Sequence, residues 1–153
     1  MDSSSRGTGT DNRQPVRIRR AEPRDYAGIE ALMAALELPY PAMDLSCFWV
    51  AEAGEEMIAG AELKEFQGCS LLSCVGVRED LQGLDIGRTL VEEVVRHAHH
   101  DVYLYTLVPG FFRKAGFVAA EHFPPDLPPR SIYGCQNCNP ALCFCMVRRR
   151  HDS

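Results

Sequence analysis

Two groups of residues in this chain have the types and the spacing to do chemistry. The first is Val77-Arg-Glu-Asp-Leu-Gln82-Gly83-Leu84-Asp85-Ile86-Gly87-Arg88-Thr89-Leu90-Val91, where an apolar strand runs through a glycine-bearing turn into an amphipathic helix. Backbone amides at such a turn, together with the positive end of the helix, make a site for a phosphate or pyrophosphate group. The second is Cys135-Gln-Asn-Cys138-Asn-Pro-Ala-Leu-Cys143-Phe-Cys145. Cys-x-x-Cys in a turn is the spacing of a zinc knuckle. Cys143 and Cys145 alternate onto one face of a strand, so four thiolates could converge on zinc or another soft metal. Inert or redox-active thiols are the alternative.

The elements that must position these groups follow from the apolar pattern. Residues 1–14 are polar and nearly free of apolar side chains, so they do not repay the entropy of ordering; a disordered segment is expected there, ahead of one domain over residues 15–150. Val16-Arg-Ile-Arg19 alternates like a strand. Glu22-Pro23-Arg-Asp25 opens a helix whose apolar face is Tyr26, Ile29, Leu32, Met33 and Leu36, closed off by Pro39 and Pro41. Two strands, from Cys47 to Ala51 and from Met57 to Leu63, flank the hairpin signal Gly54-Glu-Glu. Residues 71–77 form a nearly continuous apolar run, as in a central strand covered on both faces. The helix from about Gly87 turns Leu90, Val91, Val94, Val95 and Ala98 to one side. A strand over 102–106, a short helix over 111–115 stopped by Gly116, a strand from Phe117 and a last strand carrying Cys143 and Cys145 complete the order.

Composition narrows the function. A chain of 153 residues with 46% hydrophobic and 24% charged side chains can bury one core of its own. A net charge of -5 argues against nucleic acid or an anionic membrane surface as partner, since both require clustered Lys and Arg. The run Arg148-Arg149-Arg150 reads as a solvated strand end. There is no apolar stretch of roughly 20 residues and no secretory-type start, so a cytoplasmic location is expected, with the seven cysteines reduced.

Gln82-x-x-Asp85-x-Gly87 after an apolar strand resembles the acyl-CoA loop of the GNAT superfamily of N-acetyltransferases, whose usual pattern is Gln/Arg-x-x-Gly-x-Gly/Ala. Asp85 stands where that family prefers glycine, which adds a negative charge and a Cβ beside the ligand. Phe112-Arg-Lys-Ala-Gly116-Phe117 is similar to the family's Phe/Tyr-x-x-x-Gly-Phe element. The stretches 44–52, Leu71-Leu72 and Gly110-Phe111-Phe112 most resemble the small arsenic-resistance N-acetyltransferases and the short amino-acid (glutamate) N-acetyltransferases. The resemblance covers residues 16 to about 148. It implies an α/β GNAT fold: a mixed central sheet of six to seven strands, helices on both faces and a splayed acyl-CoA slot.

It also implies a function. Acetyl-CoA would be the cosubstrate, its pantetheine arm bonded to the backbone of Val75, Gly76 and Val77. Its pyrophosphate would be held by amides of Gln82, Gly83, Leu84, Asp85, Ile86, Gly87 and Arg88, with the Thr89 hydroxyl nearby. Thr106 and Phe112 would line the far side of the slot, although Phe112 also reads as core. A small amine, plausibly of an amino acid or amino-acid-like compound, would attack the thioester directly in a ternary complex, with the Val75 amide as oxyanion donor.

The other chemical roles are poorly filled. Phe112 stands where many relatives carry a proton-donating tyrosine, and Leu71 where some carry a glutamate base. Glu62 and Glu65 are substitutes by proximity, although strand glutamates are ordinarily solvated. His97, His99 and His100 are explained by the helix end they follow, and His122 is a weaker candidate. These gaps keep open a second class, a non-catalytic acyl-CoA or metal-binding sensor on the same fold. Pro124-Pro125 and Pro128-Pro129 stiffen residues 123–132, which could cover the acceptor or a partner subunit in a homodimer.

Overall fold

The computed structural model describes residues 15–36, 44–129 and 143–150. The polar segment 1–14, and with it the expectation of disorder there, lies outside the described residues, as do Cys135 and Cys138.

The first strand, β1 (Val16–Arg20), leads to a helix entrance in which the Glu22 amide donates to Asp25 Oδ2 at 2.7 Å. Pro23 opens a 3-10 turn (Pro23–Asp25), and helix α1 (Tyr26–Ala35) follows. Its buried face is Ile29, Leu32 and Met33, whereas Tyr26, at the first position, stays 47% exposed. A second 3-10 turn over Leu45–Cys47 takes Cys47 out of the expected strand, so β2 is Phe48–Ala53. It is joined to β3 (Glu56–Glu65) by a tight turn in which Gly54 adopts φ 65, as primed hairpin turns require.

Next come β4 (Ser70–Val77), α2 (Ile86–Val95), β5 (Val102–Thr106), α3 (Pro109–Lys114), β6 (Val118–Ala119) and β7 (Phe144–Arg148). One seven-stranded sheet results, in the order β1-β2-β3-β4-β5-β7-β6. Every pair is antiparallel except β4 and β5, which the α2 crossover makes parallel.

The sheet is covered on both sides. On one face Leu90, Val91 and Val94 of α2 and Phe112 of α3 meet Ala59, Ala61, Leu72 and Leu104. On the other, Ile29, Leu32 and Met33 of α1 meet Phe48, Val50 and Cys74. A fully buried Leu, Ile or Val side chain contributes about 1.5–3 kcal/mol, so these two layers supply much of the drive to fold. No helix among the described residues is long and apolar enough to cross a membrane.

The strand expected from Phe117 shrinks to two residues because α3 ends in a full Schellman cap. Gly116 adopts φ 94, its amide reaches Arg113 O, and the Phe117 amide reaches Phe112 O, both at 3.0 Å. The Phe112 and Phe117 rings then meet edge-on with centroids 5.8 Å apart. Phe112-x-x-x-Gly-Phe is thus the signature of a helix stop with its apolar clasp.

Candidate active site

Strands β4 and β5 pair at only two positions, Ser70 with Val102 and Leu71 with Tyr103. Beyond Leu71 they part. β5 stays bonded to β7 as far as Thr106, and β4 stays bonded to β3 as far as Val77, so residues 72–77 have a strand edge without a strand partner on the β5 side. A free edge of extended backbone can take a ligand that hydrogen-bonds like a strand.

β4 is also bulged. Gly60 pairs with Gly76 and Glu62 with Ser73, which leaves Cys74 and Val75 opposite the single residue Ala61. Cys74 takes the strain with φ 56. The bulge changes which face follows Ser73: the Ser73 side chain meets Glu62, and Cys74 is buried in the α1 cluster. Burial pushes the Cys74 thiol up to about 12, so it is no nucleophile.

At the end of β4 the chain turns over Glu79–Leu81 and through Gly83 (φ 88) and Asp85 (φ 65) into α2. The first helical bond runs from Thr89 N to Asp85 O at 3.0 Å, and among the described residues the backbone amides of residues 83–88 have no protein partner. A row of unsatisfied donors at the positive end of a ten-residue helix suits an anionic group. Two contacts brace the turn. Gln82 Nε2 donates to Val77 O at 3.0 Å, and a Cβ on Gly87 would lie 3.1 Å from both Phe111 Cζ and Val77 Cγ2. Glycine lets α3 and β4 approach closely there without displacing either side chain.

On the α1 face, Glu62 is 0% exposed, not solvated as its type and strand position suggested. It sits across from Phe48 on β2 and Ser73 on β4. Its Oε1 accepts from Ser73 Oγ at 3.0 Å, its Oε2 accepts from the Asp44 amide at 3.3 Å, and Lys64 Nζ stands 3.8 Å away. Burial raises its pKa above the ordinary carboxylate value, against the opposing pull of Lys64 and these hydrogen bonds. Glu65 is occupied elsewhere, at the end of β3 remote from the open part of β4. It accepts from the Ser70 hydroxyl and from the His99 amide, the latter at 3.1 Å.

The acetyltransferase (GNAT) domain profile matches residues 44–119, the stretch that runs from the Asp44 turn through the slot, the anion turn and α3. The chain carries a GNAT acetyltransferase domain. Solved structures share the fold. The N-acetylglutamate synthase of Neisseria gonorrhoeae, complexed with coenzyme A and N-acetyl-glutamate, superposes with a TM-score of 0.70 at 21% identity, over 97% of this chain and 37% of its own. This chain therefore spans little more than a third of that synthase. Rv2747 from Mycobacterium tuberculosis, in complex with CoA, gives 0.66 at 17% identity over 87% and 98% of the two chains. A GNAT-family acetyltransferase from Staphylococcus aureus Mu50 gives 0.68 at 14% identity over 89% and 99%. No curated protein matches by sequence.

Within this GNAT domain, several residues named from sequence are engaged in ways their spacing does not reveal. The Thr89 hydroxyl donates to Asp85 O at 2.9 Å, within its own helix. Arg88 pairs with Glu92 at 3.3 Å on the surface. Thr106 lies on the splayed part of β5, where its Oγ1 accepts from the Val108 amide at 2.9 Å. Phe112 is core, 7% exposed.

His97, His99 and His100 lie just beyond the end of α2, and His122 follows β6. His97 stacks on Trp49 with centroids 4.6 Å apart and meets Glu93 O through Nδ1 at 3.0 Å. Of the cysteine group, Cys143 precedes β7 and Cys145 lies on it, partly packed with Cys69, Tyr103 and Val147. Among the described residues no three His, Cys, Asp or Glu side chains gather as metal ligands. The Pro-rich connection is clasped to the sheet: Tyr105 Oη donates to Pro128 O and the Gly68 amide to Asp126 Oδ2, both at 2.7 Å.

Sequence reasoning missed Ser73. Its signal was there, a single hydroxyl in the apolar run 71–77, opposite a single acid in the apolar run of β3.

Proposed function

We propose that the chain transfers an acetyl group from acetyl-CoA to the amine of a small molecule, an amino acid or amino-acid-like compound, by direct attack in a ternary complex. The observation that carries this reading is the parting of β4 and β5 after Leu71, directly ahead of the free amides of residues 83–88. Val75, Gly76 and Val77 would hold the pantetheine arm along the open edge, and residues 82–88 the diphosphate. The Val75 amide would face the thioester oxygen as negative charge develops there. Acetyl-CoA supplies the activated acyl group; the protein binds it, orients it and removes the amine's proton.

The structures of similar fold that hold coenzyme A, one of them with N-acetyl-glutamate, support the choice of cosubstrate and of an amino-acid-like acceptor. A cytosolic setting, in which the seven cysteines would stay reduced, belongs to this proposal. Release of free thiol from acetyl-CoA against a pooled library of amino acids and amines tests the proposal, and the absence of turnover with every acceptor would sink it.

A non-catalytic acyl-CoA sensor is favoured by two observations. Phe112, at the position of the thiolate-protonating tyrosine, carries no hydroxyl and is buried, and Asp85 puts a carboxylate at the anion turn. Heat of binding with acetyl-CoA but no thiol release would select that reading. Soft-metal binding by Cys135, Cys138, Cys143 and Cys145 is a separate proposal, decided by metal content per chain in protein purified without chelator.

A further inference from the structure

We propose that Ser73 and Glu62 form a proton relay in which the Ser73 hydroxyl takes the proton of the attacking amine while passing its own to the Glu62 carboxylate. The inference rests on the acetyltransferase reading above and assigns the base that the sequence left open.

Glu62 is the most deeply buried carboxylate described, and burying a carboxylate is costly unless it is well paired. Asp25, the next at 7% exposure, is fully paired, since Arg19 holds both of its oxygens at 2.8 and 3.0 Å. Glu62 has no such partner. Its nearest cation, Lys64 Nζ, is 3.8 Å away, and its hydrogen bonds are one hydroxyl and one amide. The arrangement leaves the carboxylate weakly neutralised when it is charged, with a hydroxyl already donating to it. That is the state a proton acceptor needs.

Position agrees. Ser73 lies past the last β4–β5 pair, on the part of β4 that borders the slot. It precedes Val75 by two residues, across the bulge at Cys74. A hydroxyl that donates to Glu62 still has lone pairs to accept from an amine. Leu71, where the resemblance implies a glutamate, is 1% exposed and apolar. In this chain the acid stands one strand away, on β3, and reaches β4 through Ser73.

The step balances. The nitrogen lone pair forms the N–C bond, and the amine proton passes to Ser73 Oγ as the Ser73 proton passes to Glu62 Oε1. The C–S bond then breaks with its electron pair on sulfur. The CoA thiolate and the protonated Glu62 return to their resting states by exchange with water. The charged and titratable groups around Glu62 are Asp44 from the turn above, Lys64 on its own strand, and Cys74 and Cys47. Asp44 is turned away, accepting from Ser46 Oγ at 2.6 Å and Cys47 Sγ at 3.4 Å.

The test uses the full chain with acetyl-CoA and two acceptor sets, hydroxylamine and the twenty common L-amino acids, read by thiol release from pH 5 to 9. Glu62→Gln is expected to lower kcat about a hundredfold. Its acetyl-CoA Kd by calorimetry should be unchanged, and the acid limb of the kcat profile should disappear. Ser73→Ala should lose a comparable factor, and Ser73→Thr, which restores the hydroxyl, should recover most of it. If Glu62→Gln fails to fold by circular dichroism, the two Ser73 variants decide alone. Variants within twofold of wild type at every pH would overturn the relay while leaving acetyl transfer standing. A wild type that binds acetyl-CoA yet releases no thiol with either acceptor set would overturn both.

Discussion

Gly87 and Phe111 are in contact across the base of the anion turn: a Cβ on Gly87 would meet Phe111 Cζ at 3.1 Å, with Val77 Cγ2 equally close on the other side. The turn is thereby clamped between β4 and α3. Replacing Gly87 by Val forces Phe111 outward and overpacks the clamp, at a cost of about 1–3 kcal/mol. Thermal melts should show the loss of stability, and calorimetry with acetyl-CoA a weaker complex. Unchanged affinity in a folded Gly87→Val protein would separate the turn from the cofactor.

Asp85 is the chain's departure from the glycine of its family, and it holds a left-handed φ of 65 at the cap of α2. Aspartate tolerates that conformation better than most residues, but glycine does so freely. Asp85→Gly also removes a negative charge beside the proposed diphosphate. Affinity for acetyl-CoA should rise about fivefold, the worth of one unit-charge contact at water-like dielectric. The gain should shrink as salt is added. A gain that does not change with salt would assign it to backbone freedom instead.

Glu62 should leave a mark on stability as well as on rate. Its native pKa is raised by burial, so the native state binds its proton more tightly than the unfolded chain does. That contribution is complete below the unfolded value and is lost as pH rises through the higher native value. Urea melts between pH 4 and 8 should therefore show wild type losing stability relative to Glu62→Gln as pH rises. A difference that stays constant across that range would contradict the raised pKa.

Arg19 ties β1 to the start of α1 and to β2, holding Asp25 through two hydrogen bonds and Glu52 through two more at 3.1 and 3.2 Å. Arg19 keeps the Asp25 carboxyl below its usual range, so this contribution is present at neutral pH and is lost as pH falls through the depressed value. Arg19→Ala strands a buried carboxylate and should cost about 3–5 kcal/mol. Arg19→Ala with Asp25→Asn should cost less than the sum of the two single changes. Additivity in that double-mutant cycle would deny the coupling.

Much of this fold was legible in the linear pattern. The apolar faces of α1 and α2, the Gly54 hairpin, the doubly covered β4 and the anion turn are local features, set by side-chain period and by glycines at tight turns. Phe112-x-x-x-Gly116-Phe117 was legible too, though as a cofactor-side motif; its bonds make it first a helix stop. The parting of β4 and β5 was implied by family resemblance and by no residue's chemistry, because it depends on where two strands distant in sequence cease to pair.

The state of Glu62 was beyond the sequence altogether. Read alone, it is a strand glutamate bound for solvent; in the fold, Phe48 and Ser73 flank it and the Asp44 turn lies above it. The non-glycine bulge at Cys74 was equally hidden, since a left-handed φ there is imposed by the register of β3 against β4. Period and turn chemistry determined which elements form, because those are short-range energies. Tertiary packing decided which polar groups lose water, and so which carboxylate is poised to take a proton, because desolvation is set by neighbours that meet only once the sheet is assembled.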